Sequence, residues 1–140
     1  MVIVLAVVAV VSAVAIPRYS NAVQRYRAEA AARRIASDLE RTRTLARAGS
    51  SERTIEFRPS TLAYYIEGER SLDRRSFASL VRLAEEPYRA RSLSADLGGD
   101  LVLRFNGYGV PDSGGEIVVA TGTAKRRVRV DGGTGAVTIE

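Results

Sequence analysis

Asp112-Ser113-Gly114-Gly115 has the look of a hydroxyl nucleophile set in a glycine turn, but the chain contains no histidine and no cysteine. A serine attacks only when a neighbouring base takes its proton, so a Ser-His-Asp or Cys-His arrangement is out of reach. A Ser-Gly turn between strands is the expectation there. Zinc sites of the usual kind lose their ligands for the same reason. Gly107-Tyr108-Gly109 lacks the third glycine and the following helix of a dinucleotide-binding loop. Asp131-Gly132-Gly133-Thr134-Gly135 offers one carboxylate, too few for a calcium cage. No periodicity brings Glu85-Glu86 or Asp96 and Asp100 together. No enzyme is read from these residues, and neither a metal nor a cofactor is expected.

One cluster remains. Lys125, Arg126, Arg127 and Arg129 place four cations within five residues, around Val128. On a strand, Val128 and Val130 would face a core while Arg127 and Arg129 share the outer face. Such a row can neutralise phosphates without reading base sequence. An exposed strand edge protected by charge also accounts for it and is the preferred reading.

The surrounding charge is unevenly placed. Of 21 basic residues only Lys125 is not arginine, and residues 18–58 hold ten arginines against five acids. From Pro59 onward 11 basic and 11 acidic residues cancel, so the net charge of +5 belongs to the N-terminal part. Before that basic stretch, Met1 to Ile16 is one apolar run interrupted only by Ser12, ending at Pro17. Val2, Ile3, Leu5, Val8, Val11 and Ile16 make it a membrane stem, closed by Pro17. Sixteen helical residues reach about 24 Å against a hydrocarbon core of about 30 Å, so the run reads as clipped at its start. A signal peptide cleaved after Ala13-Val14-Ala15 is the competing reading, but no basic residue precedes the run. Arg18, Arg25 and Arg27 follow it, which by itself would put the rest of the chain in the cytoplasm.

Residues 18–49 read as an amphipathic helix. Tyr19, Val23 and Tyr26, then Ala28, Ala32, Ile35, Leu39 and Ala46, recur at steps of three and four, with Thr42 filling one place. Arg27, Arg34, Arg41, Glu29, Asp38 and Glu40 are expected on the opposite, charged face, with Glu29 and Arg33 as an i,i+4 pair. Gly49-Ser50-Ser51 ends the helix. Beyond it the period falls to two. Ile55 and Phe57, then Leu62, Tyr64 and Ile66, make a hairpin about Pro59-Ser60-Thr61. Residues 71–96 are ambiguous, with Phe77, Leu80 and Val81 as strand or short helix before Pro87. Strands follow at Leu101 to Phe105, Ile117 and Val119, Val128 and Val130, and Val137 and Ile139. Turns fall at Asn106-Gly107, Ser113-Gly114-Gly115 and Asp131-Gly132-Gly133. Short turns imply antiparallel pairing, and Leu39 and Ile35 are expected to pack on Phe57 and Tyr64. The class is α+β: a stem at 1–17, a helix at 18–49 and an antiparallel β domain at 50–140.

With those elements in view, the chain resembles the GspH/FimT family, the H-type pseudopilins of type II secretion and related minor pilins of type IV pili. Val2-Ile3-Val4-Leu5 through Ala13-Val14-Ala15-Ile16-Pro17-Arg18-Tyr19 is similar to the shared pilin segment, which ends in Ala-Ile-Pro and an aromatic. Ala36-Ser37-Asp38-Leu39-Glu40-Arg41-Thr42-Arg43-Thr44-Leu45-Ala46 resembles the family's helix. Leu103-Arg104-Phe105-Asn106-Gly107-Tyr108-Gly109, Arg127-Val128-Arg129-Val130 and Gly135-Ala136-Val137 add a looser likeness.

The resemblance implies a pilin-like fold and a non-catalytic, single-pass subunit of the bacterial inner membrane with its domain periplasmic or extracytoplasmic. Such a subunit polymerises with other pilins or pseudopilins, at the tip, on an inner-membrane assembly platform. Membrane lipid, a prepilin peptidase acting on the full-length precursor, and N-terminal methylation belong to the same picture. Some members are implicated in taking up DNA, which makes the cluster from Lys125 to Arg129 the alternative functional site. The family's leader and its Glu, which would stand immediately before Met1, are missing from the sequence. In such a stem Pro17 removes one backbone donor and marks where the helix could kink.

Overall fold

The computed structural model describes residues 1–67 and 78–140, the side chains of 14–17 and 78 excepted. One helix, α1 (Val2–Gly49), runs through both the stem and the amphipathic segment. It remains helical across Pro17, while the side chains of Ile16 and Pro17 lie outside the described residues. Ser50 closes it in the left-handed conformation at φ 45°, and the Ser51 N–H returns to the Ala46 carbonyl. That bond caps a helix end whose last carbonyls have no partner within the helix.

Eight strands follow: β1 (Arg53–Arg58), β2 (Ala63–Glu67), β3 (Ala78–Arg82), β4 (Ser92–Asp96), β5 (Val102–Phe105), β6 (Gly115–Thr121), β7 (Ala124–Val130) and β8 (Val137–Ile139). They form two antiparallel four-stranded sheets, ordered β3-β2-β1-β5 and β4-β6-β7-β8. The expected hairpin about residues 59–61 is present, with Phe57 opposite Tyr64 and Ile55 opposite Ile66. Leu62 is not in its strand but caps the short 3-10 turn before it. Leu80 and Val81 lie in β3, whereas Phe77 falls outside the described residues. Ser113-Gly114-Gly115 is not a hairpin turn: it carries the chain from β5 in one sheet to β6 in the other.

The core lies where both sheets meet the second half of α1. Ala28, Ala31, Ala32, Ile35, Leu39 and Ala46 are all buried. They belong with Ile55, Phe57, Tyr64 and Ile66 of one sheet and Ile117, Val119, Val128 and Val130 of the other. Small residues on the helix let both sheets approach its axis. The Phe57 and Tyr64 rings sit 5.3 Å apart and tilted, within the range of favourable aromatic pairs.

Two expectations fail on this helix. Tyr19 and Tyr26 are about three-quarters exposed. Between Tyr26 and Ala28 the apolar register jumps by two residues, about 200° around a helix, so the two tyrosines point away from the sheets. Asp38 was expected on the charged face and is buried instead. It sits about 20° from Ala31 in helical projection, on the flank of the packed stripe.

Candidate functional site

Three features of the chain bear on function: the projecting stem, the outer face of β7, and the way the domain is fastened to the helix. The stem is the largest. Val2, Ile3, Val4, Leu5, Val7, Val8, Val10 and Val11 are all more than half exposed, and nothing among the described residues covers them. The helix first touches the domain at Gln24, whose Oε1 accepts from both the backbone N–H (3.1 Å) and the hydroxyl (3.2 Å) of Thr123. Gly122 makes this clasp fit: its φ is +59°, and a Cβ there would stand 2.4 Å from the Gln24 amide oxygen. Among the side chains described before residue 23 all are exposed, and the apolar part, residues 1–16, makes about 24 Å of helix at 1.5 Å per residue. A run of exposed apolar side chains of that length marks a membrane or protein contact. By length and composition this helix is able to cross a membrane.

The cationic strand is more elaborate than its sequence. β7 lies between β6 and β8, but β8 runs beside only Arg127 to Val130. Edge protection therefore accounts for Lys125 and Arg126 and not for Arg127 and Arg129. Val128 and Val130 are buried, and Lys125, Arg127 and Arg129 alternate with them on the exposed side. Arg126 points the other way, and its Nε meets the Glu29 carboxylate of α1 at 2.7 Å. Glu29 also accepts from Arg33 at 3.0 Å, the expected i,i+4 pair. Arg126, then Arg33, hold the Glu29 carboxyl below its ordinary range. On the outer face Glu116 and Glu140 flank the two remaining arginines, with Arg127 3.3 Å from Glu116 and 3.9 Å from Glu140. Arg129 lies 4.0 Å and 3.8 Å from the same two carboxylates. Three of the four cations thus face carboxylates of the chain itself. Lys125 makes no ion pair among the described residues.

The remaining chemistry-bearing residues have structural partners. The Ser113 hydroxyl donates to the Leu97 carbonyl at 2.9 Å, and Asp112 accepts from the Arg104 backbone N–H and guanidinium. Asp131 accepts from Gly133 and Thr134 in the turn before β8, and those donors lower its pKa, the Thr134 N–H most. Asp96 and Asp100 accept from nearby backbone N–H groups. Glu85 pairs with Arg82, and Glu86 with Arg27 and Arg89. Among the described residues no three acids gather to hold a metal. A shallow groove of about 390 Å³ beside Asp96, Glu116 and Arg129 has no nucleophile aimed into it.

Sequence reasoning missed the fastening. Asp38 Oδ2 accepts the buried Tyr64 hydroxyl at 2.6 Å and the Arg34 Nε at 2.9 Å. Burial pushes the Tyr64 phenol well above its ordinary pKa, and the Asp38 carboxylate adds to the shift. Burial alone would lower the Arg34 pKa, but its bond to Asp38 outweighs that and raises it. Near the helix end, Arg43 donates to the carbonyls of Gly109 (3.2 Å) and Thr134 (2.7 Å), and Arg47 to that of Tyr108 (2.9 Å). No local pattern marks these contacts, because the acceptors are backbone atoms more than sixty residues away.

No family model, curated protein or solved structure matches the chain. The fold is an α+β domain whose long N-terminal helix packs on antiparallel sheets and carries a segment apolar enough to span a membrane.

Proposed function

We propose that this chain is a non-catalytic minor pilin or pseudopilin of the GspH/FimT type. It is held in the bacterial inner membrane by the first part of α1, with its sheet domain outside the cytoplasm. There it polymerises with sister subunits through the stems, at the tip of a secretion pseudopilus or type IV pilus. The observation that carries this reading is the bare stem: one continuous helix is packed by the domain from Gln24 onward, while its apolar side chains from Val2 to Val11 are exposed. A side chain such as Val8 is soluble only in lipid or against another apolar surface. The same stem satisfies both, lipid before assembly and neighbouring stems after it. The pilin-like pattern ending at Ala15-Ile16-Pro17 supports the second destination.

The alternative, non-specific DNA binding through Lys125, Arg126, Arg127 and Arg129 during uptake, draws less support. Arg126 is turned to Glu29, and Arg127 and Arg129 face Glu116 and Glu140. A phosphate would have to displace those carboxylates.

The test uses the absence of cysteine from the chain. The native protein should fractionate with inner membrane, and removing residues 1–16 should release a soluble, folded domain. Cysteine placed singly at Val8 should cross-link to stems of sister subunits in assembled filaments. Protease added outside spheroplasts should reach the domain. A native protein beginning at Ile16, or a domain shielded from external protease, would overturn the proposal.

A further inference from the structure

The domain clasp at Gln24 fixes which end of the sheet layer faces the membrane. It lies about 12 Å beyond Ile16 along the helix. The elements at that level are the turn between β6 and β7, the start of β7 and the segment leading into β4. Ala120 pairs with Lys125 on one side and Ser92 on the other, and its carbonyl accepts the Arg91 N–H at 2.8 Å. Lys125 and Arg91 therefore lie at the same, membrane end of the sheet, on either side of β6, and both are exposed. On the helix, Arg18 and Arg25 are seven residues apart and so share one side, about 20° apart. That side also bears Glu29, which binds Arg126, the neighbour of Lys125. None of Arg18, Arg25, Arg91 and Lys125 makes an ion pair with a described residue. The acids at this end are engaged: Glu29 with Arg33 and Arg126, Glu86 with Arg27 and Arg89, Glu85 with Arg82.

We propose that Arg18, Arg25, Arg91 and Lys125 form a docking face for anionic phospholipid headgroups. It would seat the domain on the surface of the membrane that the stem enters. This rests on the stem being membrane-embedded, as proposed above. Side chains on a helix lean toward its N-terminus, so Arg18 and Arg25 reach back toward the bilayer. Arg18 follows the apolar run by two residues and enters the headgroup layer directly. Arg25, extended downward, comes within a Debye length of about 8 Å of the phosphates. Uncompensated cations beside a membrane span attract anionic lipid, and their attraction weakens with salt. The contrast within one strand supports the assignment. Arg127 and Arg129, farther from the membrane, each face two carboxylates, while Lys125 at the near end faces none.

The full chain, carrying a dye on Ser92→Cys, would be reconstituted in vesicles with an energy acceptor on the lipid headgroups. Transfer should be greater in phosphatidylcholine mixed with phosphatidylglycerol than in phosphatidylcholine alone, and the difference should vanish at about 0.5 M salt. The quadruple variant Arg18→Gln, Arg25→Gln, Arg91→Gln, Lys125→Gln should lose the difference, with its circular dichroism unchanged. Arg127→Gln with Arg129→Gln should keep it, as a folded control. Equal transfer on both lipids, while the chain still floats with the vesicles, overturns the docking face and leaves the stem intact. Transfer that follows the protein-to-lipid ratio and ignores lipid charge assigns the face to a second copy and overturns it too. Failure to float with phosphatidylcholine alone overturns the stem reading itself.

Discussion

The two halves of α1 are one continuous helix with opposite chemistry, and the difference between them lies in side-chain size. From Val2 to Val11 the helix carries Val, Leu and Ile on every side, and all of them are exposed. From Ala28 it carries alanines, with single Ile35 and Leu39, and buries that whole stripe between two sheets. Bulky side chains all round suit an environment that is apolar all round, which the domain does not supply. Small ones on one face let strands close in on that face. The helix thus assigns its first half to something outside the chain and its second half to the fold.

The sharpest way to break this contrast is to make the same kind of truncation in each half. Leu39→Ala should lower domain stability by about 2–5 kcal/mol, because the cavity lies in the shared core of both sheets. Val8→Ala should leave the domain's melting temperature unmoved while weakening stem cross-links. Arg41→Ala, exposed on the packed half, should cost well under 1 kcal/mol. Equal melting shifts for Leu39→Ala and Arg41→Ala would mean that the packed stripe is misassigned.

A smaller effect is expected from the buried polar contact. Asp38→Asn weakens the acceptor for Tyr64 and Arg34 together and should cost about 1–3 kcal/mol. The Tyr64 phenol has a raised pKa in the folded state, so its stabilising contribution is complete below the unfolded value of about 10. It is lost as pH rises above that value. Denaturant melts should show the native chain losing stability above pH ~10 more steeply than Tyr64→Phe. Parallel pH profiles for the two would show that the Tyr64 phenol is not raised by burial and Asp38 in the folded chain.

What was legible in the sequence follows from which forces are local. The period-2 run from Ile55 to Ile66 marked the hairpin, since turn and alternation both lie within a few residues, although Leu62 belongs to the turn and not to the strand. The stripe from Ala28 to Ala46 was equally plain. Periodicity states which residues share a face, however, and not whether anything covers that face. Tyr19 and Tyr26 therefore read as part of the packed stripe, although their register is rotated away from it. Asp38 was misplaced because a polar residue on the flank of an apolar stripe is buried only if a distant partner satisfies it, here Tyr64, 26 residues on. The split into two sheets, and β7's place inside one of them, depend on pairings such as Val128 with Ile139 and Val119 with Leu93. No local pattern in the chain encodes those. The cationic cluster was visible, but its neutralisation was not, because Glu29, Glu116 and Glu140 come from three separate elements.

The Glu29 contact ties the packed half of the helix to β7 and should respond modestly. Arg126→Gln removes the first of the two cations that depress the Glu29 carboxyl, so its pKa should rise toward the ordinary carboxylate value. A depressed folded value means that this contact stabilises the fold above the unfolded pKa of about 4.3 and fades as pH falls below it. Arg126→Gln should therefore cost a constant amount of stability from neutral pH down to that region, and the difference from the native chain should shrink as pH falls further and vanish once Glu29 is protonated in the fold. A side-chain NMR titration of Glu29 that is identical in both proteins would show that Arg126 is not its partner in solution.

The smallest effect is expected where the cations are most numerous. If the stem-deleted domain bound duplex DNA through Lys125, Arg126, Arg127 and Arg129, three or four phosphate contacts would give a slope of log K against log salt of about −3 to −4. Arg127→Gln with Arg129→Gln would then remove about two units of that slope. Arg127 and Arg129 already face Glu116 and Glu140, and Arg126 faces Glu29, so each phosphate contact begins by breaking an existing pair. The expected result is no measurable binding at ~50 mM salt, where phosphate contacts are strongest, and hence no change on substitution. Binding with the full slope would instead show that the carboxylates swing aside. In that event Glu116→Gln with Glu140→Gln should tighten it further, since both substitutions free the same two arginines.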